Sequence, residues 1–298
     1  MKEVQLNDPY AIPYKGIYAI CDSNNEYVEL IEDTNCYGGA AWAKHHYLQS
    51  PIVQQINSFG TTTRYLAKVK KSKLNLKSSI MPAGIESISV EGNFVKVTYA
   101  GLGGGGVGAT KCRAMADGVI DYNITTSGGG RAAKGTIIIP RRERLLIGVD
   151  DTDTKDEGAT WALAHNIAKA LSCNESIYLS HSIVQLFPVD RKTQNCVSIV
   201  LEFACVNEKV KNEIIINIKN ALLKYSVSKE TGMVAYSGFN ADCLNGYSEK
   251  CRSREITRDD ALESIKKNSV QVLLNGDGII GALAAIPWFA KPDLSVKF

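Results

Sequence analysis

The sequence predicts an α/β or α+β fold of two domains, with mixed sheets and helices packed on them. Three observations carry that prediction. Runs of strand length rich in β-branched and aromatic residues alternate with stretches of helical apolar period along the whole chain. Its 298 residues suffice for two cores of ordinary size. A basic, polar segment, PRRER at 140–144, stands between two such alternating halves. The expected domains are therefore 1–140, an α+β part with two glycine-rich loops, and 141–298, a part that opens on an acidic strand end.

In the first half, KGIYAIC and YVELIE have strand composition and length. GGAAWAKHHYLQS and the following PIVQQINSF read as helical, and TTRYLAKVK as a further strand. ESISVEGNFVKVTYA alternates with period two around Gly-Asn, which predicts a hairpin. Two glycine clusters follow, GLGGGGVGA at 101–109 and SGGGRAAKG at 127–135, separated by a short helix and the strand-like GVIDYNI. The second half reads as a strand (LLIGVD), a helix (ATWALAHNIAKAL), two strands (SIYLSHSIVQLF and CVSIVLEFAC) and a long helix (NEKVKNEIIINIKNALLKYS). A strand-like GMVAYSG then precedes a polar, cysteine-bearing segment. A helix around TRDDALESIKKN, a strand at VQVLLN and a helix from IIGALAAIPW complete the order.

Hydrophobic residues at 45% and charged residues at 22% describe a folded chain rather than a disordered one. A formal net charge of +3 is too mild to predict nucleic-acid binding from charge alone. MKEVQLNDPYAIPYKG lacks the apolar centre of a signal peptide, and no apolar run reaches the roughly 18 residues that span a bilayer. The expectation is a cytoplasmic protein with no membrane partner. Eight cysteines without a C-x-x-C pair are expected as reduced thiols. Cys243 and Cys251, with His45 and His46, match no standard zinc or iron–sulfur spacing.

Chemistry concentrates in four places. In LLIGVDDTDTKDEGATW an apolar strand runs into Asp150, Asp151 and Asp153. Carboxylates at a strand end suit a hydrated Mg²⁺, which takes one or two of them plus substrate phosphates; the same run also reads as a solvated turn with Asp156 or another short polar residue capping a helix. Gly103, Gly105 and Gly108 satisfy G-x-G-x-x-G with Asp121 downstream, although the strand before them belongs to a hairpin. Gly103, Gly105 and Gly106 suit an anion through their backbone N–H groups, or form a loop with no ligand. The second cluster holds Gly129, and its Arg131 and Lys134 could grip phosphate after the loop closes, or are solvated. After Pro188, the residues Arg191, Lys192, Thr193 and Asn195 make a polar, cationic edge suited to a nucleotide or a substrate phosphate, in a composition also common in loops. Gly276, Asp277 and Gly278 open a helix whose Gly281, Ala282, Ala284 and Ala285 allow close packing.

Three of these motifs, in order over the second half, resemble a known family. IGVDDTDTKDEG is similar to the G-[IV]-DDTDS-x-x-G opening of the kinase-like domain in the archaeal agmatinylcytidine synthetase that modifies an isoleucine tRNA. LFPVDRKTQN resembles its L-N-P-N-x-P-W-K-T-R-G-N segment, and GDGIIGALAAI its G-x-G-x-IGALAAIG. That family uses ATP and Mg²⁺ to phosphorylate a cytidine carbonyl oxygen for attack by agmatine. The resemblance implies Asp150, Asp151 and Asp153 at the metal, with Asp151 and Lys192 catalytic. Gly148, Thr152, Gly158, Thr193, Asn195 and the Gly276–Gly278 turn would surround the nucleotide. GATWALA replaces the family's Cys-Thr-Thr segment, and the OB-like module and zinc ribbon that follow in the synthetase have no counterpart here. The chain as a whole resembles methanogenesis marker protein 11, a family of unassigned biochemical function in methanogenic archaea.

These features lead to an ATP- and Mg²⁺-dependent phosphotransferase, or an enzyme that activates an unknown small-molecule or macromolecular acceptor by phosphorylation. Two alternatives remain. One is a non-catalytic nucleotide-binding protein for assembly or maturation of a methanogenic enzyme or cofactor, and the other an RNA-binding or RNA-modifying protein. The missing modules disfavour RNA at this level.

Overall fold

The structure, a computed structural model, describes residues 4–6, 8–126, 130–190 and 192–297. Gly129 and Arg191 lie outside them. The chain forms two compact units, Met1–Arg142 and Glu143–Phe298.

The first unit contains β1 (Gly16–Cys21), β2 (Tyr27–Asp33), α1 (Tyr37–Tyr47), β3 (Val53–Phe59), β4 (Thr62–Lys68), β5 (Ala83–Glu91), β6 (Phe94–Leu102), α2 (Val107–Ala114), β7 (Asp121–Ile124) and the start of β8 (Ala132–Asp150). One antiparallel set runs β3–β4–β2–β1, with a short parallel contact from β1 to β8; a second runs β5–β6–β8–β7, antiparallel throughout. The hairpin forms where period-two alternation placed it, with Gly92 at φ +59° in its turn. Beneath the sheets, Arg113 of α2 pairs in bidentate fashion with Glu32 of β2 at 2.5 and 2.7 Å, both buried, between the rings of Tyr14 and Tyr99.

One expectation fails here for an identifiable reason. PIVQQINSF forms strand β3, not a helix. Val53, Ile56 and Phe59 have helical spacing because a register shift between Val53 and Gln55 interrupts the alternation a regular strand would display. PRRER holds the division between the two units, after Arg142, and lies inside the 19-residue strand β8. Arg142 and Arg144 alternate inward and are buried. Arg144 Nε donates to Glu202 Oε1 at 2.9 Å, and Ser180 Oγ donates to Glu202 Oε2 at 2.6 Å.

In the second unit the end of β8 joins α3 (Thr160–Leu171), β9 (Ser176–Gln185), β10 (Val197–Cys205), α4 (Glu208–Tyr225), β11 (Gly232–Ser237), α5 (Asn245–Ser253), α6 (Arg258–Lys267), β12 (Gln271–Asn275), α7 (Ile279–Ala285) and the short α8 (Pro292–Ser295). The polar cysteine segment folds as α5, preceded by a 3-10 turn at Asp242–Leu244. The sheet is antiparallel in the order β12–β11–β8–β10–β9. Side chains alternate across it. Leu145, Ile147 and Val149 pack with α3 and α4 on one face, and Leu146 packs with α5, α6 and α7 on the other. Asn207 caps α4 by accepting from Val210 N at 2.9 Å, and Thr257 with Asp260 forms a capping box on α6. Cys251 is buried beside Tyr247, with its thiol pushed up to about 11 by desolvation. Among the described residues no disulfide joins the eight cysteines, and no helix is long and apolar enough to cross a membrane.

Candidate active site

The site grows from the parity of β8. Gly148 and Asp150 share the face of Leu146, so both meet α7. A Cβ on Gly148 would collide with the Ala282 carbonyl, and one on Gly281 with the Asp150 carboxylate, whose Cγ it would approach to 2.9 Å. Absence of side chains at these two positions lets the helix lie flat on the strand and leaves space for the carboxylate. Gly281→Ala is expected to displace only that carboxylate. Its Mg²⁺-dependent nucleotide affinity should fall about 10–100-fold, the loss typical of disturbing a metal ligand's support, while thermal unfolding moves little; calorimetry and a melting curve read the two effects separately.

Asp150 sits deep at the strand end, part of its surface facing a cavity. Burial, and then the neighbouring Asp151 and Asp153 carboxylates, push its acid well above the usual carboxylate range, opposed by the Asp151 N–H that donates to its Oδ1 at 2.9 Å. Asp151 has φ +52°, a left-handed conformation uncommon for a residue with a side chain. The loop is held there by Thr231 Oγ1 donating to Asp151 O at 3.1 Å and by Val227 N donating to Thr152 O at 3.0 Å. Asp153 is nearly buried, and its Oδ2 accepts from Thr160 N at 3.2 Å at the first turn of α3. Its Oδ1 accepts from Thr193 Oγ1 at 2.8 Å. The N-cap position of α3 is Ala159, and the carboxylate that meets the helix's first N–H is that of Asp153.

Asp150 and Asp151 line a cavity of about 220 Å³ together with Lys192, Thr193, Asn195 and Asp277. Apolar walls come from Leu186, Phe187, Ile256 and Ile280. Asp153 lines a smaller neighbouring hollow with Asp150, Thr193 and Asn195. Among the described residues, no group of three or more His, Cys, Asp or Glu side chains is placed to hold a metal ion. A cation here would therefore have one or two carboxylates and draw its other ligands from substrate or water. A buried acid crowded by two carboxylates is suited to a divalent cation in that mode.

The other predicted residues divide clearly. Thr152 is buried, and both its N–H and its hydroxyl bond to Thr160 Oγ1. Gly158, at φ +92°, turns the acidic loop, and its carbonyl accepts from Gln194 Nε2 at 3.1 Å. Gly276 and Gly278 bring their turn onto the Glu230 backbone, where Gly278 N donates to Glu230 O at 2.9 Å. Arg258 secures the same turn through Gly276 O at 3.0 Å and Asp277 Oδ1 at 3.1 Å. Gly103, Gly105, Gly106 and Arg131 belong to the first unit. There Gly106 packs against the Ala133 carbonyl and Gly105 against Ala83 and Pro82, bringing α2 close to the strands, while Arg131 is exposed.

Sequence reasoning missed Gln194, which ties the acidic loop to the Lys-Thr-Gln-Asn segment through Thr154 O and Gly158 O. It also missed Glu230, which lines the cavity and accepts from Asp277 N at 3.2 Å, and Arg254, which lines it too. Glu230 reaches the site because Gly232 pairs with Asp150 across the sheet, a register that no local pattern announces.

Comparison with known proteins first gives a class to this unit: the family model of the TiaS TCKD domain matches residues 146–275. The chain belongs to the family of the uncharacterized protein MJ0921 of Methanocaldococcus jannaschii, with 40% identity over 295 residues, 96% of this chain and 97% of that protein. Among solved structures, the complex of TiaS with its tRNA and ATP is similar over 48% of this chain and 36% of its own, at 22% identity and a TM-score of 0.43. The complex of TiaS with the same tRNA, AMPCPP and agmatine is similar over the same shares, at 19% identity and a TM-score of 0.41. The chain therefore spans little more than a third of the TiaS chains it matches. The resemblance of the second half to the synthetase is supported, whereas the whole-chain relative has no characterised role.

Proposed function

We propose that the cavity at the end of β8 binds ATP with Mg²⁺, and that the protein is an ATP-using enzyme that activates an RNA acceptor by phosphoryl transfer. The observation that carries the nucleotide site is the convergence of Asp150, Asp151, Lys192, Thr193, Asn195 and Asp277, from three separate segments, on one cavity. RNA is preferred as the acceptor because the matching domain is that of TiaS, a tRNA agmatidine synthetase. This reverses the order of preference drawn from the missing modules.

Asp150 and Asp151 are the residues that would hold Mg²⁺, which when bound supplies positive charge to the phosphate oxygens. Lys192 presents an ammonium group at the cavity wall to the polyphosphate. Thr193 and Asp153 act by position: their hydrogen bond fixes the cationic edge relative to the acidic loop. The apolar wall of Leu186, Phe187, Ile256 and Ile280 suits the flat face of a base and keeps water from it.

Asp151→Asn should abolish Mg²⁺-dependent ATP binding, by more than about 100-fold, and leave the circular dichroism spectrum unchanged. Normal binding by the variant would remove Asp151 from the metal site. ADP release by the wild-type protein, followed with and without RNA fractions, tests the acceptor. Tight ATP binding with no ADP release in the presence of any RNA would favour a nucleotide-switched assembly protein.

A further inference from the structure

We infer that the open face of the β5–β6–β8–β7 sheet in the first unit is a binding surface for the RNA backbone. Both helices of the unit pack on the opposite side, α1 through Ala43 and Tyr47 and α2 through Ala109 and Cys112, against the buried Val95, Val97, Tyr99, Ile137 and Ile139. Residues of the other parity face outward.

Register lines these outward residues into a polar row. Lys71 bridges to Ser87 of β5, Ser87 pairs with Thr98 of β6, Thr98 with Thr136 of β8, and Thr136 with Asn123 of β7. Five strand segments at the usual spacing make this row about 19 Å wide. All five residues line one shallow groove of about 470 Å³, flanked by Lys96 and Lys134. The Thr98 and Thr136 hydroxyls lie 2.8 Å apart. Lys134 is steadied by Glu86 at 2.5 and 2.8 Å, and Lys96 by Glu91 at 2.5 Å.

Charge and an aromatic residue identify the partner. Residues 68–85 hold Lys68, Lys70, Lys71, Lys73 and Lys77 and no acidic residue. Residues 1–142 contain 16 Lys and Arg against 11 Asp and Glu, a net of +5, whereas residues 143–298 contain 18 against 20, a net of −2. The mild overall charge conceals this division. Lysines beside hydroxyl and amide groups suit phosphate oxygens and the ribose 2′-OH. Phe94 stands on the same outward parity as Lys96 and Thr98 and is 43% exposed, a platform on which an unpaired base can stack. An acidic protein surface would use the lysines but has no need of that ring.

The identity of the polymer rests on the RNA-acceptor reading, while the location rests on this face alone. The test measures binding of the full chain to bulk tRNA, to polyuridylate and to polyglutamate over a range of salt. Lys71→Ala, Lys73→Ala and Lys96→Ala combined should weaken both RNAs at least tenfold. They should also flatten the slope of log affinity against log salt by about 2, at roughly 0.7 per lost phosphate contact on a single strand. Phe94→Ala should weaken polyuridylate roughly fivefold or more, with the salt slope unchanged. Lys134 is spared so that Glu86 keeps its partner, and the circular dichroism spectrum with a thermal melt serves as the check that both variants are folded. Unaltered RNA affinity and slope in the triple variant, with the wild type binding RNA, overturn this surface and leave the RNA-acceptor reading standing. A wild type that binds neither RNA at low salt overturns both. Equal losses toward polyglutamate show simple polyanion capture and overturn the assignment to RNA.

Discussion

Asp150→Asn is expected to raise the melting temperature of the metal-free protein while removing its Mg²⁺-dependent nucleotide binding. The Asp150 acid is raised by burial and by two neighbouring carboxylates. In the unfolded chain a carboxyl loses its proton near pH 4, but the folded protein retains it to higher pH. Between those two points the folded state binds more protons than the unfolded one, so stability falls as pH rises. An asparagine keeps the shape without the ionisation. The gain in melting temperature should thus be absent below about pH 4, grow through the window above it, and persist at higher pH. Nucleotide affinity measured calorimetrically with Mg²⁺ should fall by more than about 100-fold. A variant less stable than the wild type at pH 8 without metal would show that the Asp150 charge is already compensated within the fold, and would remove the physical reason for placing a cation there.

Glu202→Ala should destabilise the second unit by about 3–5 kcal/mol, because it leaves the buried Arg144 guanidinium without its carboxylate. Arg144 also lies over the Phe289 ring at 4.6 Å, so it cannot leave for solvent without opening the core beneath α7. The double variant Arg144→Met with Glu202→Leu should recover most of that loss, since removing both charges leaves neither stranded. Urea unfolding followed by a probe in the second unit reads the difference. If the single and double variants unfold at the same denaturant concentration, the pair contributes only through its packing.

Much of the candidate site was legible in one dimension because its motifs are local. A strand ending in acidic residues, a Lys-Thr-Gln-Asn edge and a Gly-Asp-Gly turn each carry their chemistry in adjacent residues. Their convergence on one cavity follows from β8, β10 and β11 being neighbours in the sheet. Residues whose roles depend on long-range pairing stayed hidden. Glu230 reaches the site through the Gly232–Asp150 register, and Gln194 through two loop carbonyls. Arg144 meets Glu202 only through the pairing of β8 with β10. Pairing through Lys71 and Ser87 places the lysines of 68–77 beside an open polar face.

The sequence by itself determined most of the order of strands and helices, the hairpin, and the residue types of the motifs that line the cavity, because each depends on interactions a few residues apart. The tertiary structure decided which of three acidic residues meets the first N–H of α3 and which two face the cavity. It also decided that Gly148 and Gly281 make room for helix and carboxylate. Those outcomes depend on which backbone lies opposite which, and in a sheet that is set by burying both faces at once, not by any single segment's preference.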